Sequence, residues 1–171
     1  MRIFLTLFFF QMLFYIGAPA QPRIIKVEDL KKMIPDSGDT LYIINFWATW
    51  CVPCVQEMPH FLALHKEITE KKLKARVLLV SLDYAEDYES KLLPFFKKHG
   101  LPGSTYLLDE INANYFIPAI DPKWSGTLPT TLALKGWNEP RRLHEGQLDE
   151  NGLRELAGLE PTTKSPGKTG H

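Results

Sequence analysis

The 171-residue chain has only two cysteines and five histidines, and no excess of either charge, because 20 lysines and arginines balance 20 aspartates and glutamates. With no second cysteine pair, a four-cysteine zinc site is excluded. The balanced charge gives no indication of a basic surface for nucleic acid or for an anionic membrane. The chain has no internal repeat, and its length suits one domain with a real core.

The N-terminus has the pattern of a cleavable secretory signal. Met1-Arg2 supplies the positive end, Ile3–Ile16 is predominantly apolar, and Ala18-Pro19-Ala20 offers small residues for cleavage after Ala20. The alternative, an uncleaved anchor, is disfavoured because a membrane span takes about 20 apolar residues. We therefore predict a signal peptide over 1–20 and export into an oxidising compartment, such as the bacterial periplasm. A single domain would follow over 21–160, with a disordered tail over 161–171.

The two cysteines stand two residues apart, where a predicted strand passes into a predicted helix. Leu41–Trp47 is short, β-branched and aromatic, which is typical of a buried strand. Apolar residues then recur at helical spacing over Val55–Ile68. This places Cys51 at or just before the first helical turn, and Cys54 one turn further on.

A sulfur at the start of a helix faces free amide donors and the positive end of the helix dipole, and both favour a thiolate. The pKa of Cys51 is thus predicted to fall to roughly 3.5–7.5. Pro53 has no N–H, so the amide of Cys54 is the expected donor to the sulfur of Cys51. We expect Cys51 to be exposed and nucleophilic, and Cys54 to lie inward and resolve a mixed disulfide.

Three other roles for the cysteine pair fit the sequence less well. A structural disulfide across two residues would constrain little chain. A zinc site is disfavoured because His60 and His65 lie six and eleven residues past Cys54, about 9 Å or more along a helix. Covalent haem attachment requires a histidine directly after the second cysteine, where this chain has Val55. Redox cycling without a metal or cofactor is the preferred interpretation.

The rest of the chain alternates between predicted strands and helices and closes on an antiparallel hairpin, which indicates an α/β fold. The predicted strands are Arg23–Val27, Val77–Val80, Ser104–Leu108, Thr130–Lys135 and Arg141–His144. The predicted helices are Glu28–Ile34, Ser90–His99 ending at Gly100, a short one within 111–125, and a last one capped by Asp149 and ended by Gly158.

The fifteen residues Asn45–Pro59 resemble the active-site segment of TlpA/ResA-like thiol–disulfide oxidoreductases, extracytoplasmic members of the thioredoxin superfamily. A second segment, Trp124–Thr131, resembles the cis-proline loop of that family. The resemblance covers most of Ile24–Leu159. It implies a thioredoxin-like sandwich, in which a central mixed β-sheet is flanked by helices.

The resemblance also implies roles for further residues. Glu57 stands where the family has a glutamate that handles protons, whereas Asn45 occupies the position of a buried aspartate in cytoplasmic thioredoxins. The Leu128–Pro129 bond is expected to be cis, against a base rate of about 5–6% for such bonds, and Leu128 to bind an extended substrate through its backbone. Besides Leu128 and Pro129, the predicted substrate-binding residues are Trp50, Val52 and Pro53. Trp124 either rims the reactive surface or packs within the protein.

The leading hypothesis is a monomeric reductase of disulfides in exported proteins, in which Cys51 attacks, Cys54 resolves and Glu57 takes the proton. Because an exported thiol is oxidised unless something re-reduces it, a membrane-borne electron donor is implied. A thiol oxidase and a non-catalytic binding module stay open as alternatives. A peroxidase is disfavoured, because peroxiredoxins need a threonine three residues before the reactive cysteine, where this chain has Ala48 and places Thr49 next.

Overall fold

A computed structural model describes residues 21–161. The predicted signal peptide and residues 162–171 of the predicted tail lie outside the described residues. Within residues 21–161, no helix is both long and apolar enough to cross a membrane.

The described residues form one six-stranded mixed sheet with helices on both faces, which confirms the predicted thioredoxin-like architecture. The strands are β1 (Arg23–Ile25), β2 (Leu41–Trp47), β3 (Ala75–Ser81), β4 (Thr105–Leu108), β5 (Thr130–Leu134) and β6 (Arg142–Glu145). The helices are α1 (Val27–Met33), α2 (Val52–Glu70), α3 (Leu93–His99), α4 (Ala113–Ile120) and α5 (Glu150–Ala157).

The strand order is β1-β4-β3-β2-β5-β6. Strands β1 to β4 are mutually parallel, whereas β5 runs antiparallel to β2 and to β6. The carboxyl ends of β2, β3 and β4 therefore lie side by side at one edge of the sheet. Ligands of open α/β sheets bind at this kind of edge.

The sheet is buried on both faces, which explains why its central strands read as continuous apolar runs. Along β2, Ile43 and Trp47 pack into the cluster that includes Phe61 of α2, while Ile44 and Phe46 pack into a second cluster on the other face. This alternation follows the two-residue period of a strand. Asn45 shares the face of Ile43 and Trp47, and is fully buried there.

The helix predicted over Ser90–His99 is α-helical only from Leu93, because its first residues belong to a wider turn. Residues Tyr88–Leu92 form a short π-helix before α3 begins at Leu93. Pro94, at the start of α3, has no N–H to give to a carbonyl in the preceding turn, so a regular α-helix cannot run through it. Gly100 ends α3 with φ of 60°, as its position predicted.

Candidate active site

The cysteine pair lies at the junction of β2 and α2. Cys51 is the N-cap residue of α2, and Val52 and Pro53 form the start of its first turn. The amide of Cys54 donates to the Sγ atom of Cys51 over 3.3 Å. Both expectations for the helix start are confirmed, and the two sulfurs are joined by a disulfide bond.

The expectation that Cys51 is exposed is wrong for this oxidised state. Cys51 is only 6% exposed and Cys54 is fully buried. The sulfur of Cys51 is bonded to that of Cys54 and accepts the Cys54 amide, so it faces inward. The order of accessibility is as expected, because Cys51 lines a surface groove that Cys54 does not reach.

Glu57 lies one turn beyond Cys54 on α2, and its side chain is fully buried. Its Oε1 accepts a hydrogen bond from Nδ2 of Asn45 over 2.8 Å, and its Oε2 accepts one from the backbone amide of Leu148 over 2.8 Å. Burial raises the pKa of Glu57 above its usual 4.5, while the Leu148 amide and the Asn45 side chain act to lower it. A carboxylate in this setting can take up a proton closer to neutral pH than an exposed one.

The two partners of Glu57 were not found by sequence reasoning. The sequence indicates only that the Asn45 amide cannot carry protons, whereas in the structure its Nδ2 donates to Glu57 and, over 3.4 Å, to Oγ1 of Thr131. Its Oδ1 is buried without a hydrogen-bond partner among residues 21–161. Leu148 precedes α5, 91 positions from Glu57, and no local pattern links the two.

Asp83 is a second buried acidic residue that sequence reasoning missed. It follows β3, is 3% exposed, and accepts hydrogen bonds from the backbone amide of Thr49 at 3.1 and 3.2 Å. The hydroxyls of Thr49 and Ser81 also donate to it, over 2.6 and 2.5 Å. Asp83 therefore fastens the loop before Cys51 to the end of β3.

The loop before β5 lies across the groove from the cysteines. The Leu128–Pro129 peptide bond is cis, as the resemblance implied. Leu128 lines the same groove as Cys51. Leu128 is half-buried, and none of the hydrogen bonds among residues 21–161 uses its main-chain N–H or C=O.

Trp124 packs within the protein, and the interpretation that it rims the reactive surface is wrong. It is 4% exposed, its ring lies 4.6 Å from that of Phe46, and its Nε1 donates to the carbonyl of Thr127 over 3.1 Å. It thus supports the cis-proline loop from behind. Trp50, in contrast, is 58% exposed beside the disulfide.

A groove of about 830 Å³ opens beside the disulfide. Four of the five predicted substrate-binding residues line it, namely Trp50, Val52, Pro53 and Leu128, whereas Pro129 is buried behind Leu128. Among residues 21–161, no three His, Cys, Asp or Glu side chains are grouped to hold a metal ion.

The fold and the cysteine pair define a thiol–disulfide oxidoreductase of the thioredoxin type. The chain belongs to the AhpC/TSA family, whose model matches residues 22–134, and within the thioredoxin superfamily it is TlpA/ResA-like. The thioredoxin-like protein YneN of Bacillus subtilis is 30% identical over 132 residues, which cover 76% of this chain and 71% of YneN.

Two further comparisons agree. The thiol-disulfide oxidoreductase ResA of Halalkalibacterium halodurans is 28% identical over 116 residues, covering 68% of this chain and 60% of that protein. The crystal structure of a thioredoxin family thiol:disulfide interchange protein from Chlorobium tepidum TLS is similar in fold, with a TM-score of 0.55 at 17% identity. That match covers 83% of this chain and 97% of the other.

Proposed function

We propose that this protein is an exported protein-disulfide reductase in which Cys51 attacks, Cys54 resolves and Glu57 accepts a proton. The observation that carries the proposal is the position of Cys51. Its sulfur accepts the Cys54 amide at the start of α2, and Cys51 is one of the residues that line the groove that also contains Leu128. Amide donors and the helix dipole stabilise a thiolate at such a position.

The reaction is a pair of thiol–disulfide exchanges. The Cys51 thiolate attacks one sulfur of a substrate disulfide, forms a mixed disulfide, and releases the other substrate sulfur as a thiolate. Cys54 then gives its proton to Glu57, and its thiolate attacks Cys51, which releases the second substrate thiolate. The substrate gains two electrons, and the enzyme returns to the oxidised form. The proton on Glu57 passes to solvent or to a released thiolate.

Substrate binding is proposed to occur by strand addition. The free N–H and C=O of Leu128 can pair with the backbone of an extended substrate, which recognises peptide rather than particular side chains. Trp50, Val52 and Pro53 are then the side chains next to the substrate cysteine, since they flank Cys51 in the groove.

The proposed direction is reduction. A strong oxidant of this superfamily requires a strongly stabilised thiolate, which raises the potential toward about −120 mV. Val52 offers neither charge nor a side-chain donor to the Cys51 sulfur, and an ionised Glu57 disfavours a nearby thiolate. Both effects favour a reducing potential.

The cellular context follows from the predicted signal over 1–20. In an oxidising compartment the dithiol must be regenerated, so a membrane-borne dithiol donor is proposed as one partner and exported proteins as the others. The protein is proposed to act as a monomer.

Reduction of insulin disulfides by the purified protein tests the activity, and a Cys54→Ser variant tests the order of attack. The variant should retain a mixed disulfide through Cys51, because the resolving thiol is missing, and Cys51→Ser should retain none. Trapping by Cys51→Ser alone would reverse the assignment. Equilibration with glutathione buffers measures the potential, and a value near that of strong oxidants would make the protein a disulfide donor.

A further inference from the structure

The groove beside Cys51 extends across three parallel strands. Its wall is built from the segments that follow β2, β3 and β4, which are residues 50–53, 82–86 and 108–111. These strands are neighbours in the sheet, and neighbouring strands lie about 4.8 Å apart. Because β4 is two strands from β2, the groove extends across two strand spacings, about 10 Å, on the side of β2 opposite to β5.

Exposed apolar side chains concentrate along this groove. Seven large hydrophobic residues are exposed among residues 21–161, and four of them line it. We call these four the apolar rim: Trp50, Val52, Tyr84 and Ile111. Ile111, at 96% exposed, lies at the far end, in the loop after β4. Such a concentration of exposed apolar surface marks a binding site.

The charges of the groove have one sign. The four charged residues that line it are Asp83, Glu86, Asp109 and Glu110. Within the described residues, no lysine, arginine or histidine lines it. Asp109 is paired with Lys26 over 2.9 Å, and Glu110 accepts the amide of Val27. Glu86 is exposed and has no charged partner among residues 21–161.

We propose that the groove selects substrate segments that carry an apolar and a basic side chain about three residues from the reactive cysteine. An extended chain covers about 3.3–3.6 Å per residue, so three residues span about 10 Å, which is the two strand spacings from β2 to β4, where Ile111 follows β4. There an apolar side chain contacts the apolar rim, and a cationic one lies near Glu86 and Glu110. This proposal rests on the proposed reductase function and names its substrate class.

The test compares cysteine peptides joined to glutathione as mixed disulfides. One peptide carries Leu and Arg three and two residues before the cysteine, a second carries them after it, and a third carries Ser and Glu at both places. The full-length reduced protein should react about tenfold faster with one Leu/Arg peptide than with the Ser/Glu peptide, because apolar contact and opposite charge both favour it. Glutathione disulfide alone, which carries neither Leu nor Arg, serves as the reference substrate.

Three variants locate the effect. Ile111→Ser and Glu86→Gln should each reduce the preference several-fold while leaving the rate with glutathione disulfide unchanged. Leu73→Ser is the matched control, because Leu73 is exposed but lies outside the groove, and it should change neither rate. Equal rates for the three peptides, or an unchanged preference in both groove variants, would overturn this inference alone. Failure to reduce any peptide or glutathione disulfide would overturn the proposed function, and this inference with it.

Discussion

Glu57→Gln separates proton transfer from packing at the site. Glu57 is fully buried and accepts two hydrogen bonds of 2.8 Å, from Asn45 and from the amide of Leu148. The new amide keeps one acceptor for Leu148 but directs N–H groups at Asn45, and an unsatisfied buried donor costs about 1–3 kcal/mol. Rotation of the Asn45 amide would bring its unpartnered Oδ1 to the new donor, but it would also take Nδ2 away from Thr131.

Since a buried charge is removed at the same time, we expect the free energy of unfolding at pH 7 to change by no more than about 1 kcal/mol. The pH dependence of stability should change as well. The raised pKa means that folded Glu57 keeps its proton above pH 4.5, where the unfolded chain loses it. In the wild type this group therefore lowers stability as pH rises from about 4.5 through the raised pKa. In urea unfolding of the oxidised protein, the free energy of unfolding of the variant should not show this decrease with pH.

The kinetic effect should be large. Loss of a positioned proton acceptor costs about 10²–10⁴ in rate, and we expect at least 10²-fold in the step by which Cys54 resolves the mixed disulfide. Rapid-quench measurements between pH 5 and 9 give the rate of that step. In the wild type this rate should rise with pH through the pKa of Glu57, and in the variant that rise should be missing. Glu70→Gln, at an exposed position of the same helix, is the control. If the pH–rate profiles of Glu57→Gln and wild type overlay, Glu57 is not the proton acceptor.

Two other perturbations follow from the described contacts. The guanidinium of Arg154, with help from a lysine, lowers the pKa of Glu67 from 4.5 to about 2, so this pair stabilises the fold above pH 4.5 and less as pH falls toward 2. Arg154→Met should lower the free energy of unfolding by about 1–2 kcal/mol at pH 7, allowing for the partly exposed carboxylate. In urea unfolding, the loss of stability between pH 4.5 and pH 2 should be smaller in the variant than in the wild type, and an equal loss would contradict this prediction. Asp83→Asn should shift iodoacetamide labelling of Cys51 to lower pH, because a negative charge beside the groove is lost. Thr49→Val is the control, because it should lower the free energy of unfolding by about 1–2 kcal/mol but leave the charge of Asp83 in place. Identical labelling curves for wild type and Asp83→Asn would refute the charge effect.

The parts of the site that sequence predicted are those set by local spacing. Cys51 caps the helix that carries Cys54 and Glu57, and the three residues are spaced three apart, so the position of the helix start determines their relative placement. The cis bond before Pro129 was predicted from resemblance alone, since local propensity favours trans.

The parts that sequence missed depend on contacts between distant segments. Asp83 meets Thr49 across 34 positions because β3 lies beside β2, and Leu148 reaches Glu57 only after the chain has crossed the sheet. Trp124 illustrates the same limit, because its neighbour Phe46 belongs to a distant strand. An aromatic residue near a reactive loop can face the substrate groove or the protein interior, and its packing against the strands decides between the two.

The hydrogen bond from Leu148 to Glu57 makes the loop between β6 and α5 part of the chemistry. The family model ends at residue 134, before β6, α5 and the loop that carries Leu148. A chain shortened there would keep both cysteines and the cis-proline loop, but one of the two donors that oppose the rise in the pKa of Glu57 would be gone. The acidity of the site can therefore be adjusted by altering how the β6–α5 loop sits against α2, with every residue of the Cys-Val-Pro-Cys segment left as it is.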